Sequence, residues 1–285
     1  MAGRLPSAAA AWIGRRLGDL GYALTPRRRR IALANLTQAF PASTARARRQ
    51  ICRASYQHLG MMMIELVALV SCPLREVLAG IRIDGLEHLR AVMDRHGRAL
   101  LLTAHLGNWE LLAAASRLTP YRLSVVVRPL DAPWLEGLAS RLRGKMGVEL
   151  IDKRVALRPV LRALTGGDMV GILLDQNTAR GESVFVPFFG RSASTSKGIA
   201  LLALRTETPI VPTFIRREAA GIHVVTIRPP LAVAEGMAPG AAVAALTARC
   251  TEAIEEAIRE TPEQWLWIHE RWRTRPAREQ VNSGA

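Results

Sequence analysis

The feature that most constrains the fold is a change in the spacing of apolar residues near Gly80. Before it, apolar residues recur every three or four positions, which is typical of helices; after it, short apolar runs alternate with helical stretches. The predicted strands are Ala99 to Ala104, Leu123 to Val127, Val148 to Ile151, Met169 to Leu174, Ile210 to Ile215 and His223 to Ile227. The predicted helices are Leu86 to Arg95, Trp109 to Leu118, Pro133 to Met146, Leu157 to Leu164, Thr195 to Arg205 and Ala241 to Arg259. This alternation favours an α/β fold, in which helices cover a central sheet.

The same pattern predicts the domain organisation, with no internal repeat and no linker. Residues 1–80 are predicted to form an N-terminal helical cap that associates with a membrane, and residues 81–275 an α/β domain that makes one structural unit with the cap. Residues 276–285 are polar and aperiodic, so they are predicted to be a flexible tail.

Positive charge is concentrated at the start of the chain. Lys and Arg number 39 against 24 Asp and Glu, which gives a formal net charge of +15. Residues 1–60 hold eleven arginines and a single acidic residue, Asp19. An anionic partner is implied, although a GC-rich genome produces the same arginine bias.

Other sequence features separate the classes of anionic partner. Only 5% of the residues are Phe, Trp or Tyr, and no zinc-finger, basic-zipper or aromatic RNA-binding pattern is present, so nucleic acid is not expected. An anionic phospholipid surface fits better, because Trp12 and its apolar neighbours interleave with Arg15 and Arg16. No uncharged apolar run approaches ~18 residues and no signal-peptide order is seen, so attachment is expected to be peripheral, on the cytoplasmic side.

A histidine and a carboxylate lie at the end of a predicted buried strand, in His105-Leu-Gly-Asn-Trp-Glu110. Gly107 permits an unusual backbone angle and Asn108 is a good N-cap, so His105 is expected in a turn and Glu110 in the first turn of the next helix. A neutral histidine held by a carboxylate can remove a proton from a substrate hydroxyl. By itself the pair is a weak signal, since a histidine and a glutamate often occur at such spacing by chance, and a structural histidine is the preferred interpretation.

Other catalytic systems are not indicated. Gly190-Arg-Ser192-Ala-Ser194 lacks the last glycine of a G-x-S-x-G elbow, and no H-E-x-x-H, phosphate-loop or dinucleotide-binding motif is present. The three cysteines, Cys52, Cys72 and Cys250, are too few and too scattered for a disulfide framework or a zinc site. They are expected to be buried thiols in a reducing compartment.

The segment His105-Leu-Gly-Asn-Trp-Glu-Leu111 resembles the H-x-x-x-x-[DE] signature of glycerolipid acyltransferases, in the form typical of the late acyltransferases of lipid A biosynthesis, the lauroyl/myristoyl family. Further blocks resemble that family in order over residues 27–276. They are Arg30 to Leu36 with Phe40-Pro41, Val127-Arg-Pro129, Leu142-Arg143, Leu174-Asp-Gln176, Val186-Pro-Phe-Phe-Gly190, Pro209-Ile-Val-Pro212 and Trp267-Ile-His-Glu-Arg-Trp272. The resemblance implies a glycerolipid-acyltransferase-like α/β fold, with a central mixed sheet covered by helices.

The resemblance also assigns roles to residues. It implies that His105 is the general base and Glu110 its orienting partner. Arg128 and Arg143 resemble positions that contact a phosphate-bearing acceptor or stabilise charge, and Asp175, followed by Gln176, resembles a residue of the substrate site. A surface ion pair for either arginine, or a turn cap for Asp175-Gln176, is the alternative.

Two further expectations come from the same family blocks. Val184 to Gly190 is expected to form a loop beside an acyl channel, or its Phe188 and Phe189 to pack in the core. Trp265, Trp267 and Trp272 are expected to pack the C-terminal helix or to lie at the interface, without a chemical role.

The resemblance implies an acyltransferase that moves a fatty acyl chain from acyl carrier protein, or from coenzyme A, to a hydroxyl of a lipid A precursor. It implies no metal or bound cofactor, and three partners: acyl carrier protein, a phosphorylated glycolipid acceptor and the inner-membrane surface. A phosphatidylinositol mannoside or another glycolipid is the alternative acceptor. A non-catalytic polybasic protein that binds membranes or nucleic acid is the alternative class.

Overall fold

Two sheets form the β-structure of the computed structural model, which describes residues 6–128, 144–233 and 236–276. The strands of these ranges are Ile81–Asp84 (β1), Ala99–Thr103 (β2), Leu123–Val127 (β3), Glu149–Asp152 (β4), Met169–Leu173 (β5), Ser183–Phe188 (β6), Arg191–Ser196 (β7), Ile210–Ala219 (β8) and Ile222–Ile227 (β9). The larger sheet has the order β1-β9-β8-β2-β5-β3-β4, and β6 pairs with β7 alone. Strands β8, β2, β5, β3 and β4 are parallel, whereas β9 is antiparallel to β8. The predicted mixed sheet is confirmed.

Helices cover both faces of this sheet. Those of the described ranges are Ser7–Leu24 (α1), Pro26–Ala39 (α2), Ala45–Ser71 (α3), Leu74–Leu78 (α4), Leu86–His96 (α5), Trp109–Ala115 (α6), Leu157–Thr165 (α7), Gly198–Thr206 (α8) and Pro239–Glu260 (α9). In β2, Leu100 and Leu102 face one hydrophobic core, which includes α2, α8 and α9, and Ala99 and Leu101 face the other, which includes α5 and α6. Side chains of a strand point alternately to the two faces, so β2 is buried on both.

The six strands predicted from the sequence are all present. The largest difference is in β8, which continues to Ala219 along its pairing with β9. The short strand β1 was not predicted; it has four half-buried or exposed residues and is defined by its pairing with β9.

The prediction of a loop at Val184 to Gly190 is wrong, because β6 and β7 form an antiparallel hairpin there. Phe189 and Gly190 make its two-residue turn, and both have positive φ angles, of 50° and 71°. Phe188 and Phe189 are buried, so the expected core packing of these two rings is confirmed. The predicted helix Thr195 to Arg205 instead begins at Gly198, since Thr195 and Ser196 still pair with β6.

Two expectations fall mainly outside the described residues. One is the helix Pro133 to Met146, of which the structure describes only residues 144–146. The other is the tail 276–285, of which it describes only Pro276.

Helix α1 packs on α3 with their backbones in direct contact. A Cβ atom added to Gly14 would lie 2.5 Å from the Met61 Cα atom, and one added to Gly18 would lie 2.2 Å from the Tyr56 carbonyl oxygen. On the facing helix, a Cβ at Gly60 would lie 2.0 Å from the Gly14 carbonyl oxygen. Only glycine fits at these three positions, because any side chain would push the two helices apart.

We therefore expect Gly18→Ala to destabilise the protein by about 1–3 kcal/mol through overpacking. Gly21 is the matched control, since it lies on the same helix and an added Cβ would meet only the Tyr56 ring, at 3.6 Å. Gly21→Ala should be neutral or stabilising by up to about 1 kcal/mol, because alanine favours helices. Denaturant unfolding measures both variants, and equal stabilities would contradict this account of the contact.

Candidate active site

The loop between β2 and α6 carries His105, and the structure explains why it turns there. Gly107 has a φ angle of 60°, and a Cβ atom at this position would lie 2.0 Å from the Ile215 carbonyl oxygen. Asn108 is the N-cap of α6, and its side-chain oxygen accepts from the Leu111 amide at 3.2 Å. His105 therefore lies in the turn and Glu110 in the first helical turn, as the sequence predicts.

Asp175 is the hydrogen-bond partner of the His105 ring. Its Oδ1 atom lies 2.9 Å from His105 Nδ1, while its Oδ2 accepts from the His105 backbone amide at 3.0 Å and from Trp265 Nε1 at 2.8 Å. The side chain is 2% exposed. Burial alone would raise the pKa of this carboxyl, but its interactions with His105 and Trp265 outweigh burial and lower it to about 2.

An ionised Asp175 fixes the tautomer of His105. A carboxylate can only accept, so Nδ1 carries the proton and Nε2 carries the lone pair. Gln176 faces this lone pair, with its side-chain nitrogen 3.3 Å from His105 Nε2. In the neutral form of the ring, Nε2 is therefore the nitrogen that can accept a proton, and the Gln176 amide lies against it.

The structure brings only some of the residues predicted from the sequence to one place. His105, Asp175 and Arg128 follow the neighbouring strands β2, β5 and β3, so all three lie at one edge of the sheet, and Arg128 is exposed there. Arg143 lies outside the described residues. Glu110 is half-buried on α6, and its role as the partner of His105 stays a prediction.

A C-terminal strap, residues 262–276, crosses the His105 loop. Leu106 forms a β-bridge with Trp265, the Leu266 amide donates to the His105 carbonyl at 3.1 Å, and the Gly107 amide donates to the Gln264 carbonyl at 3.0 Å. Trp265 thus also supports the site structurally, since its indole donates to Asp175; the absence of a chemical role stays a prediction.

Helix α2 and the loop after β5 hold the far end of the strap. The buried Asn35 donates to the carbonyls of Trp267 and His269, at 2.7 Å each. The Asn177 amide donates to His269 Nε2 at 3.0 Å, and the Asn177 side chain exchanges two hydrogen bonds with Thr274, each of 3.0 Å. The strap thus connects helix α2 of the cap to the His105 loop and to the loop after β5, which carries Asp175.

Sequence reasoning also missed a buried polar cluster beneath the loop. Glu65 of α3 accepts from Arg217 of β8 at 2.9 and 2.6 Å, from Asn108 at 2.8 Å, and lies 3.1 Å from His223 Nε2. Arg217 also donates to His58 Nδ1 at 2.6 Å. Burial alone would raise the pKa of Glu65, yet these donors lower it to about 2. The cluster ties Asn108, at the start of α6, to helix α3. In the sequence, Glu65 is only a charged residue within the apolar run from Leu59 to Leu74.

An apolar cavity lies between the sheet and helices α5 and α6. Thr103, Leu173 and Trp109 line it close to the edge that carries His105, and Met169 lines it at the other end of β5. The length of β5 makes this span roughly 13 Å. The Trp109 ring packs against the His105 ring edge to face, with centroids 5.1 Å apart. A long apolar group in the cavity can therefore end beside the imidazole.

Two buried histidines make stability depend on pH. Burial is the main cause that lowers the pKa of His58 to about 3, and the positive charge of Arg217 is the second. Burial is also the main cause that lowers the pKa of His269 to about 4. Below pH ~6.5 and above these values, the two histidines bind a proton in the unfolded chain but not in the folded protein. The free energy of unfolding therefore decreases as the pH is lowered, by up to ~1.4 kcal/mol per pH unit for each histidine. Glu65 and Asp175 add losses only at lower pH, near and below their unfolded values of ~4.3 and ~3.9.

We expect His58→Asn, which keeps an acceptor for Arg217 but cannot titrate, to reduce this loss between pH 6.5 and 4.5 by about half, leaving the part due to His269. Denaturant unfolding at four pH values measures the slope. The exposed His96 provides the control variant, His96→Asn. An unchanged slope in His58→Asn would show that His58 is not neutral in the folded protein.

Comparisons with known proteins place the chain among acyltransferases of one family. The model of the family described as bacterial lipid A biosynthesis acyltransferase matches residues 1–274 of the chain. The lipid A biosynthesis lauroyltransferase of Escherichia coli K12 is 28% identical over 280 residues, covering 96% of this chain and 88% of the relative.

Two further relatives have similar coverage. The lipid A biosynthesis palmitoleoyltransferase of the same strain is 27% identical, over 97% of this chain and 89% of its own. A lipid A biosynthesis acyltransferase of Haemophilus influenzae Rd is 24% identical, over 93% and 79% respectively. The similarity therefore includes the cap, the sheet and the strap.

Proposed function

Because the chain belongs to the bacterial lipid A biosynthesis acyltransferase family, and is therefore an acyltransferase, we propose that it moves a fatty acyl group from acyl carrier protein to a hydroxyl of a lipid A precursor. Coenzyme A is the second donor that fits the same chemistry. The observation that carries the proposal is the His105–Asp175 pair beside an apolar cavity. A base next to a long apolar pocket suits a reaction between a hydroxyl and a fatty acyl thioester.

In this mechanism His105 Nε2 takes the proton of the acceptor hydroxyl as its oxygen attacks the thioester carbonyl. Asp175 holds Nδ1–H and stabilises the imidazolium that forms. The tetrahedral intermediate then collapses, the carbon–sulfur bond breaks, and the imidazolium returns the proton to the departing thiolate. The products are an ester and a free thiol, and no acyl-enzyme is needed. Glu110 contributes a second negative charge on α6.

The apolar cavity takes the acyl chain of the donor, with its carboxyl end near Trp109. Apolar walls favour a fatty chain because the chain leaves water on entry. The acceptor lies across the sheet edge, where Arg128 binds one of its phosphates; Arg143 is proposed for the same task. A guanidinium suits phosphate because it donates two parallel hydrogen bonds.

The cap faces the membrane. Among the described residues, no helix is both long and apolar enough to cross a bilayer. Trp12, Leu20 and Leu24 of α1 and Met63 and Val67 of α3 expose 54–69% of their surface. These apolar side chains, with the arginines of α2, support peripheral attachment to anionic phospholipid at the inner membrane's cytoplasmic face. The same positive charge attracts the acidic acyl carrier protein.

An acyl-transfer assay tests the proposal. Purified protein on anionic vesicles is given acyl-loaded carrier protein and a phosphorylated lipid A precursor, and mass spectrometry detects the ester. We expect His105→Ala to lower turnover by ~10²–10⁴-fold, the scale of general-base catalysis. Because the variant also removes one donor of the buried Asp175, thermal unfolding checks that it is folded. His96→Ala, which removes an exposed histidine of α5, should leave turnover unchanged.

The alternatives give different results in the same assay. A His105→Ala enzyme within threefold of the wild type would contradict the proposed base and favour a non-catalytic binding protein. Transfer to a phosphatidylinositol mannoside but not to the lipid A precursor would support the acyl-transfer activity and contradict the proposed acceptor.

A further inference from the structure

The proton-accepting nitrogen of His105 is already occupied by a protein group. Asp175 holds the proton on Nδ1, so Nε2 carries a lone pair, and the nitrogen of the Gln176 side-chain amide lies 3.3 Å from it. An amide N–H is a donor and a lone pair an acceptor, so the contact is a hydrogen bond from Gln176 to His105. A substrate hydroxyl must donate its proton to this same lone pair.

The backbone that carries Gln176 is held on both sides. Before it, Asp175 accepts three hydrogen bonds, two from His105 and one from Trp265. After it, Asn177 donates to His269 through its backbone and pairs with Thr274 through its side chain. The Gln176 side chain is therefore the part of this segment that can rotate away while the backbone stays in place.

We propose that Gln176 is a positioning residue that occupies the place of the acceptor hydroxyl in the free enzyme and yields it when the acceptor binds. The inference rests on the proposed role of His105 as the base. In the free enzyme the amide donates to Nε2 and holds this nitrogen toward the substrate. In the complex the hydroxyl replaces the amide, so Gln176 no longer influences the protonation of His105.

This exchange predicts a difference between two pH profiles. The profile of kcat/KM reports the free enzyme, and that of kcat reports the complex. Loss of the Gln176 donor makes protonation of Nε2 easier in the free enzyme, so Gln176→Leu should move the acid limb of kcat/KM to higher pH. A neutral hydrogen bond corresponds to a shift of roughly 0.4–1 pH unit. The acid limb of kcat should stay in place.

The other charged or titratable groups on the elements that form the site are the same in every variant. They are Asp175 after β5, Glu110 on α6, and His269, Arg271 and Arg273 of the strap. His269 is neutral in the working range, because burial first lowers its pKa to about 4. A shift confined to variants of residue 176 is therefore not due to these groups.

Three variants give the kinetic test. Gln176→Glu, whose carboxylate cannot donate and attracts an imidazolium, should shift the acid limb of kcat/KM further than Gln176→Leu. Asn177→Ala is the matched control, since it loosens the same segment but leaves the amide on Nε2, and its limb should not move. Equal shifts in kcat and kcat/KM, or no shift in either Gln176 variant, would overturn the proposal.

A second measurement needs no substrate, so it separates this inference from the proposed function. Diethyl pyrocarbonate reacts with a free imidazole lone pair, and mass spectrometry of the His105 peptide gives its rate at alkaline pH, without vesicles or acyl donor. We expect Gln176→Leu, which fills similar space, to speed this modification roughly 2–10-fold, the factor that one neutral hydrogen bond represents. Asn177→Ala should leave the rate unchanged.

The two measurements fail in different ways. If Gln176→Leu is labelled faster but neither it nor the wild type transfers an acyl group, the Gln176 contact is supported and the proposed function is contradicted. An unchanged labelling rate in Gln176→Leu would reject the contact even in an active enzyme.

Discussion

The buried carboxylate of Asp175 is the interaction on which the site depends. It accepts from the ring and the backbone amide of His105 and from the indole of Trp265, so it joins β2, β5 and the C-terminal strap at one point. A buried ion is costly unless donors surround it. Three donors surround Asp175, and its pKa falls rather than rises. The same bonds that keep the carboxylate ionised also fix the tautomer of the histidine.

The rest of the fold keeps this point rigid. Parallel strands β2 and β5 place His105 and Asp175 at one sheet edge. The strap pairs with the loop that carries His105, through the bridge between Leu106 and Trp265. Asn35 in α2 and Glu65 in α3 connect the strap and the loop to the cap. A catalytic base keeps a fixed orientation only if the groups around it are themselves held in place, as these contacts hold the strap and the loop. The helical cap is thus part of the site's support.

The sequence was sufficient for the sheet and for the position of the His105 loop, because buried strands are apolar runs and glycine and asparagine mark the turn. It was not sufficient for the hairpin of β6 and β7, whose second strand, Arg191–Ser196, is polar and is defined by its partner. Nor could spacing identify the partner of the imidazole. Glu110 is five residues away and is the local candidate, whereas Asp175, which contacts Nδ1, is 70 residues from His105. Contacts made across strands, such as Glu65 with Arg217, leave no local pattern.

The most direct test of the account replaces one carboxylate oxygen by an amide nitrogen in Asp175 and, separately, in Glu110. In Asp175→Asn an amide replaces the acceptor of Nδ1–H and favours the wrong tautomer, so kcat should fall by ~10²–10⁴-fold. Glu110→Gln, measured in parallel, should cost at least about tenfold less, since it leaves the Nδ1 contact intact. Thermal unfolding of both variants checks that they are folded. An Asp175→Asn enzyme within tenfold of the wild type, together with an inactive Glu110→Gln enzyme, would contradict the account.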